Sequence, residues 1–151
     1  MIGAVVVTHG NIGTEMIRAA ESIVKEKLPF LGVALEHHES VPTMKSKIRE
    51  AIASCHSPQG VLLLSDLFGG TPCNLCLSFL KEVKVEVVTG VNLPMLIKLA
   101  HYRENRPLKE VARFIREYGK KNITLARQVL KGDPPRGESP KGQGSGLSRS
   151  G

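Results

Sequence analysis

The sequence predicts an α/β fold, a three-layer doubly wound sheet, mainly parallel, with strand order 2-1-3-4 and helices on both faces. Three observations predict it. Short runs at residues 2–8, 30–35 and 60–65 are apolar almost throughout, the pattern of strands buried on both faces. Longer segments between them carry apolar residues at helical spacing. The two kinds of segment alternate along the chain, as they do when helices cross over between parallel strands.

Taken in order, residues 2–8 (I-G-A-V-V-V-T) form the first strand, and His9-Gly10-Asn11-Ile12-Gly13 is a turn signal. Residues 14–25 read as a helix with Met16, Ile17, Ala20, Ile23 and Val24 on one face. After the second strand, residues 37–42 are loop, and residues 43–54 are a helix with Met44, Ile48, Ala51 and Ile52 inward. The third strand leads into a Gly-rich loop, residues 66–71, and a helix over 72–80 with Leu75, Cys76, Phe79 and Leu80 on one side. Residues 83–89 alternate Val with Lys84 and Glu86, a less buried strand. Helices follow at 93–102 and 107–118. The pattern at 123–130 leaves strand and helix open.

A chain of 151 residues is long enough for one domain and too short for two of ordinary size. From Gly132 onward Gly, Ser, Pro, Lys and Arg dominate, and Leu147 is the only large apolar residue. That composition cannot offset the entropy of ordering. The expected organisation is therefore a domain over 1–131 and a disordered tail over 132–151.

The formal net charge is +7, of which the tail supplies +1. A basic surface attracts nucleic acid, anionic lipid or acidic proteins. Nucleic acid is not expected as a partner, because Lys and Arg are scattered among Glu and Asp and aromatics make up only 4%. An odd cysteine count (Cys55, Cys73, Cys76) without a secretory context points to reduced thiols in a cytoplasmic protein. Cys73 and Cys76 form a C-x-x-C inside a helix and read as buried small residues rather than metal ligands. No apolar run reaches the ~20 residues of a membrane helix, and the start lacks the charged region of a signal peptide. No metal or cofactor is expected.

Open α/β sheets bind ligands beyond the C-terminal ends of their strands, where the strand order reverses. In the order 2-1-3 that crevice lies between strands 1 and 3. His9 stands one residue past the first strand and Asp66 one past the third, so topology alone sets them face to face. A carboxylate bonded to one ring N–H of a histidine fixes its tautomer, and the other nitrogen is then a nucleophile. The segment Asp66-Leu67-Phe68-Gly69-Gly70-Thr71-Pro72 adds a candidate anion site. Its two glycines allow close backbone approach, Thr71 suits an N-cap, and Pro72 suits the first helical position. Thr71 and the N–H groups near it are thus candidates to hold phosphoryl oxygens, though two glycines alone also fit a plain strand-to-helix turn. His37 and His38, beside Glu36 and Glu39, read as a solvated loop, and His56 and His101 as surface residues.

V-V-V-T-H-G after a starting Met, then D-L-F-G-G-T-P, then T-G-V-N-L-P-M-L, in that order and spacing, resemble the enzyme IIA family of mannose-type sugar phosphotransferase systems. The resemblance spans about residues 1 to 131. It implies a cytoplasmic carrier that accepts a phosphoryl group from the phosphocarrier HPr on His9. The carrier passes it to a histidine of a IIB component, which serves the membrane components IIC and IID. Asp66 then matches the family's orienting Asp, and Gly69, Gly70 and Thr71 its phosphate-binding segment. The resemblance further implies a homodimer that exchanges a fifth, antiparallel strand, here residues 123–129. Family members that continue into a IIB domain do so through a linker. The tail here carries no such domain, so IIB is expected as a separate chain or absent. The loop at 36–42 also lacks the family's frequent Pro-Gly turn.

Three other readings compete. A phosphoryl donor to a dihydroxyacetone kinase shares the fold and the early His but lacks the Gly-Gly-Thr-Pro after its Asp. A purely regulatory phosphoprotein is compatible with the same residues. A receiver domain phosphorylated on the Asp after strand 3 needs an acidic pair after strand 1, where this chain has Thr8-His9.

Overall fold

The computed structural model describes residues 1–82 and 84–132. Four parallel strands, β1 (Gly3–His9), β2 (Phe30–Leu35), β3 (Val61–Ser65) and β4 (Val85–Thr89), form one sheet in the order β2-β1-β3-β4. This is the predicted order. The helices are α1 (Ile12–Val24), α2 (Val41–Ser54), α3 (Thr71–Leu77), α4 (Leu93–Tyr102), α5 (Leu108–Lys121) and α6 (Ala126–Leu130). A 3-10 turn, Ser78–Lys81, extends α3.

Side chains alternate across the central strands, so each strand feeds two cores. Ala4, Val6, Leu62 and Leu64 pack with Ile17 and Ala20 of α1, Leu96 and Leu99 of α4 and Val111 and Ile115 of α5. Val5, Val7 and Leu63 face the other way, onto Met44 and Ile48 of α2 and Leu75 and Cys76 of α3. Val5, Val6, Val7, Leu62, Leu63 and Leu64 are fully buried. Each contributes about 1.5–3 kcal/mol relative to exposure, which is why these runs carry no polar residue until their C-terminal ends.

Several helices begin earlier than the apolar spacing indicates. Val41 and Pro42 lie outside the predicted helix, yet α2 starts at Val41. Ser40 caps it by accepting the Thr43 N–H at 3.2 Å, and Pro42 tolerates a first-turn position that needs no N–H donor. Thr71 is not the N-cap of α3. That position is taken by Gly70 in extended conformation, and Thr71 is the first helical residue, with Pro72 after it. Ile23 and Leu80, expected inward, are exposed. Leu80 falls in the 3-10 turn, whose three-residue period rotates it off the buried face.

The segment that the resemblance assigned to a strand holds the short helix α6 in the single chain, with no buried residue. Ile123, Leu125, Val129 and Leu130 all face solvent. A strand cannot form by itself, and these residues lie along no edge of their own sheet, so the backbone closes its hydrogen bonds locally. The proposed tail lies outside the described residues from 133 onward.

Candidate functional site

The site is built where β1 and β3 end side by side. Thr8, fully buried, is the one polar residue on the buried part of β1. His9 follows it at the strand end, and Gly10 turns the chain with φ +53°. The Gly10 N–H donates to the Leu35 carbonyl at 3.0 Å, which ties this turn to the end of β2. On β3, the Ser65 carbonyl accepts the N–H groups of Gly90 and Val91, at 2.9 and 3.0 Å. The loop after β4 therefore anchors the backbone just before Asp66.

His9 and Asp66 meet as the topology predicted. The ring Nδ1 lies 2.7 Å from Asp66 Oδ2, and the His9 backbone N–H donates to the same oxygen at 2.9 Å. The other oxygen, Oδ1, accepts the Leu67 N–H at 3.0 Å. Burial pushes the Asp66 carboxyl up. The hydrogen bonds from the His9 backbone and ring, the charge of a protonated His9 and the Leu67 N–H outweigh that, and hold it below the usual carboxylate range. These bonds contribute stability above the ordinary value of ~3.9. That contribution fades as pH falls through the lower folded value.

An ionised carboxylate only accepts hydrogen bonds, so the neutral ring must carry its proton on Nδ1. The lone pair is then on Nε2, on a side chain that is 51% exposed, against 13% for Asp66. The partly buried carboxylate and the half-exposed ring together can make a nucleophile of Nε2.

The Gly-rich loop closes on the ring. A Cβ placed on Gly70 would sit 2.8 Å from His9 Cε1 and 3.3 Å from Nε2, so only glycine allows this approach. Gly69 adopts φ +97°, and Thr71 is exposed at the start of α3. All five residues predicted for the site thus lie at the ends of two adjacent strands, His9 closing β1, and Asp66, Gly69, Gly70 and Thr71 running from the end of β3 to the start of α3. Thr8 and the Leu67 N–H also belong to the site, and neither is among the residues that the sequence singles out. A lone hydroxyl ending an otherwise apolar strand was the available signal for the first. A backbone N–H carries none.

The other histidines stand apart. His37, His38, His56 and His101 are exposed, and His101 faces Glu26 only at 4.0 Å. Cys73 and Cys76 are buried free thiols, and burial, with smaller effects of Cys73 and Asp66, pushes the Cys76 thiol up to about 12. Among the described residues, no group of three or more His, Cys, Asp or Glu is placed to hold a metal. No helix among them is long and apolar enough to cross a membrane.

Comparison with known proteins gives the geometry its family. The family model described as PTS system fructose IIA component matches residues 3–116. The PTS system fructose-specific EIIA component of Bacillus subtilis (strain 168) is 26% identical over 132 residues, which is 87% of this chain and 90% of that protein. The PTS system mannose-specific EIIAB component of Escherichia coli (strain K12) is 28% identical over 145 residues, 93% of this chain. The matched region is 45% of that longer protein. Among solved structures, the PTS IIA protein associated with the fucose utilization operon from Streptococcus pneumoniae superposes with a TM-score of 0.72 at 28% identity. That match covers 85% of this chain and 95% of the other. With the sheet order, the strand-end histidine and the matched residues all in agreement, the chain belongs to the mannose-type IIA family of the phosphotransferase system, a family of phosphotransferases.

Proposed function

We propose that this protein is a phosphohistidine carrier in sugar uptake. It accepts a phosphoryl group from phosphorylated HPr on Nε2 of His9 and passes it to a histidine of a IIB component. The observation that carries this reading is the 2.7 Å contact between His9 Nδ1 and Asp66, which leaves Nε2 of a half-exposed ring with the free lone pair. In the accepting step the Nε2 lone pair attacks phosphorus and the P–N bond of the donor breaks. The donor ring keeps that electron pair, and His9 becomes a positively charged phosphoimidazolium beside the Asp66 carboxylate. Transfer to IIB reverses the sequence. The protein supplies little covalent chemistry beyond the nucleophile, so positioning and charge stabilisation dominate.

In this reading the phosphoryl oxygens sit against Gly69, Gly70 and Thr71, the segment whose Gly70 lies against the Cε1 and Nε2 edge of the ring. The functional domain is residues 1–131, and residues 132–151 take no part in the transfer. The bond formed tests the reading. After incubation with phosphorylated HPr, label on the protein should be lost in acid and retained in alkali, as a phosphoramidate requires. Label that is instead lost in base would indicate an acyl phosphate and place the chemistry on a carboxylate.

A homodimer is part of the same proposal. Among the described residues β4 pairs only with β3, which leaves its outer edge open there. Beside it Glu86, Val88, Lys109, Arg113 and Arg116 line a groove of ≈ 200 Å³ against α5. Open edges invite a further strand. Residues 123–129 supply one with exposed Ile123, Leu125 and Val129 at alternate-position spacing. Exchange between two copies covers both the edge and these apolar side chains. Light scattering at micromolar concentration should give twice the chain mass of 16.4 kDa. A value of 16.4 kDa under those conditions would sink the dimer.

A further inference from the structure

We propose that Thr8 is the positioning residue of the carrier, the group that fixes the direction of the His9 ring. The proposal rests on the reading of His9 as phosphoryl acceptor. Its starting point is a helix without its usual cap. Asn11 occupies the N-cap position of α1, but its side chain makes no capping bond. The acceptor comes from the strand instead. Thr8 Oγ1 accepts the Gly13 N–H at 2.9 Å, and the same hydroxyl donates to the Gly10 carbonyl at 3.1 Å.

One buried hydroxyl therefore bridges the two sides of His9. It holds the end of β1 to the first turn of α1, and it closes the Gly10 turn between them. Gly13 is shaped to this contact, since a Cβ there would lie 3.2 Å from both Thr8 Oγ1 and Cγ2 and 3.0 Å from Val6 Cγ1. Both bonds have donor and acceptor in normal range, and Thr8 has no exposed surface. The hydroxyl's one donor and one of its acceptor sites serve the backbone that carries His9, and its full burial keeps it out of reach of solvent.

The consequence is geometric. The His9 N–H and Nδ1 share one oxygen of Asp66, so both bonds persist only while the backbone at His9 keeps its present orientation. Three fastenings hold it: the Asp66 bonds, the Gly10 N–H to Leu35, and the Thr8 bridge. Of these, only the Thr8 bridge restrains both the strand and the helix flanking the turn. Displacement of a reacting group by about 1 Å costs on the order of 10²-fold in rate.

Thr8→Val keeps the shape and removes the hydroxyl, while Thr8→Ser keeps the hydroxyl and removes the methyl. Both are compared with wild type and His9→Gln for label uptake from phosphorylated HPr, and by nitrogen NMR of the His9 ring. Thr8→Val should take up label at least ten-fold more slowly per folded molecule. Its ring spectrum should shift from a single Nδ1–H tautomer toward a mixture. Thr8→Ser should restore the rate to within about two-fold and the single tautomer. If Thr8→Val does not fold, Thr8→Ala, which introduces no new contact, takes its place. A wild-type rate and tautomer in a folded hydroxyl-free variant would overturn the proposal, as would a Thr8→Ser loss as large as that of Thr8→Val. If His9→Gln itself takes up label, the underlying reading of His9 fails, which is a separate outcome from a Thr8 variant that behaves as wild type.

Discussion

Asp66→Ala should fold and accept phosphate about 10²-fold more slowly than wild type. Its carboxylate does two things in the transfer. It holds the ring proton on Nδ1, so that Nε2 is the free nucleophile, and it stabilises the positive charge that appears on the ring as the P–N bond forms. A buried Asp in the same relation to a catalytic His is worth about 10⁴ in a serine protease. The effect here should be smaller, because the incoming phosphoryl group already sits on a reactive nitrogen and needs no deprotonated hydroxyl to attack it. The substitution also releases the His9 and Leu67 N–H groups from their acceptor. An unpartnered buried donor costs about 1–3 kcal/mol, and these lie at the mouth of a site that water reaches, so the low end applies. Single-turnover labelling by phosphorylated HPr separates the rate effect from this loss when it is normalised to folded protein. Transfer at the wild-type rate would remove Asp66 from the mechanism.

The parts of this molecule that were legible in its sequence are those set by burial. β1 and β3 could be read because a central strand covered on both faces has no room for polar residues, and the point where polarity returns marks its end. That same point is where His9 and Asp66 stand, so the site came with the strand boundaries and the switch-point geometry of the sheet. Glycine in the 66–71 loop was readable as close approach. Which glycine meets the ring was not, and it proved to be Gly70.

What stayed hidden depends on bonds between segments distant in sequence or on a choice between local caps. Apolar spacing started α1 at Thr14, but the helix opens two residues earlier because a strand hydroxyl, Thr8, satisfies its first turn. Ser40 and Gly70 likewise take the cap positions at α2 and α3, each a residue or more before the first periodic apolar position. The stretch at 123–130 was ambiguous for a different reason. Its apolar residues fit both periods over so short a length, and in a single chain no core selects between them. Its conformation follows from what it packs against, which sequence periodicity does not encode.

The central claim is that His9 alone carries the phosphoryl group, and labelling of histidine variants tests it most directly. Of five histidines in the chain, His9 alone among them ends a buried strand, holds a carboxylate at 2.7 Å on Nδ1 and has the Gly70 backbone against its Nε2 side. His37, His38, His56 and His101 are exposed side chains with none of these three features. His9→Gln retains a polar side chain of similar reach, which can still bond Asp66, but lacks the second ring nitrogen that attacks phosphorus. Incubated with enzyme I, HPr and labelled phosphoenolpyruvate, His9→Gln should acquire no label. His37→Gln, His38→Gln, His56→Gln and His101→Gln should each label as wild type. Label retained on His9→Gln, or lost from any of the other four while it folds normally, would contradict the account.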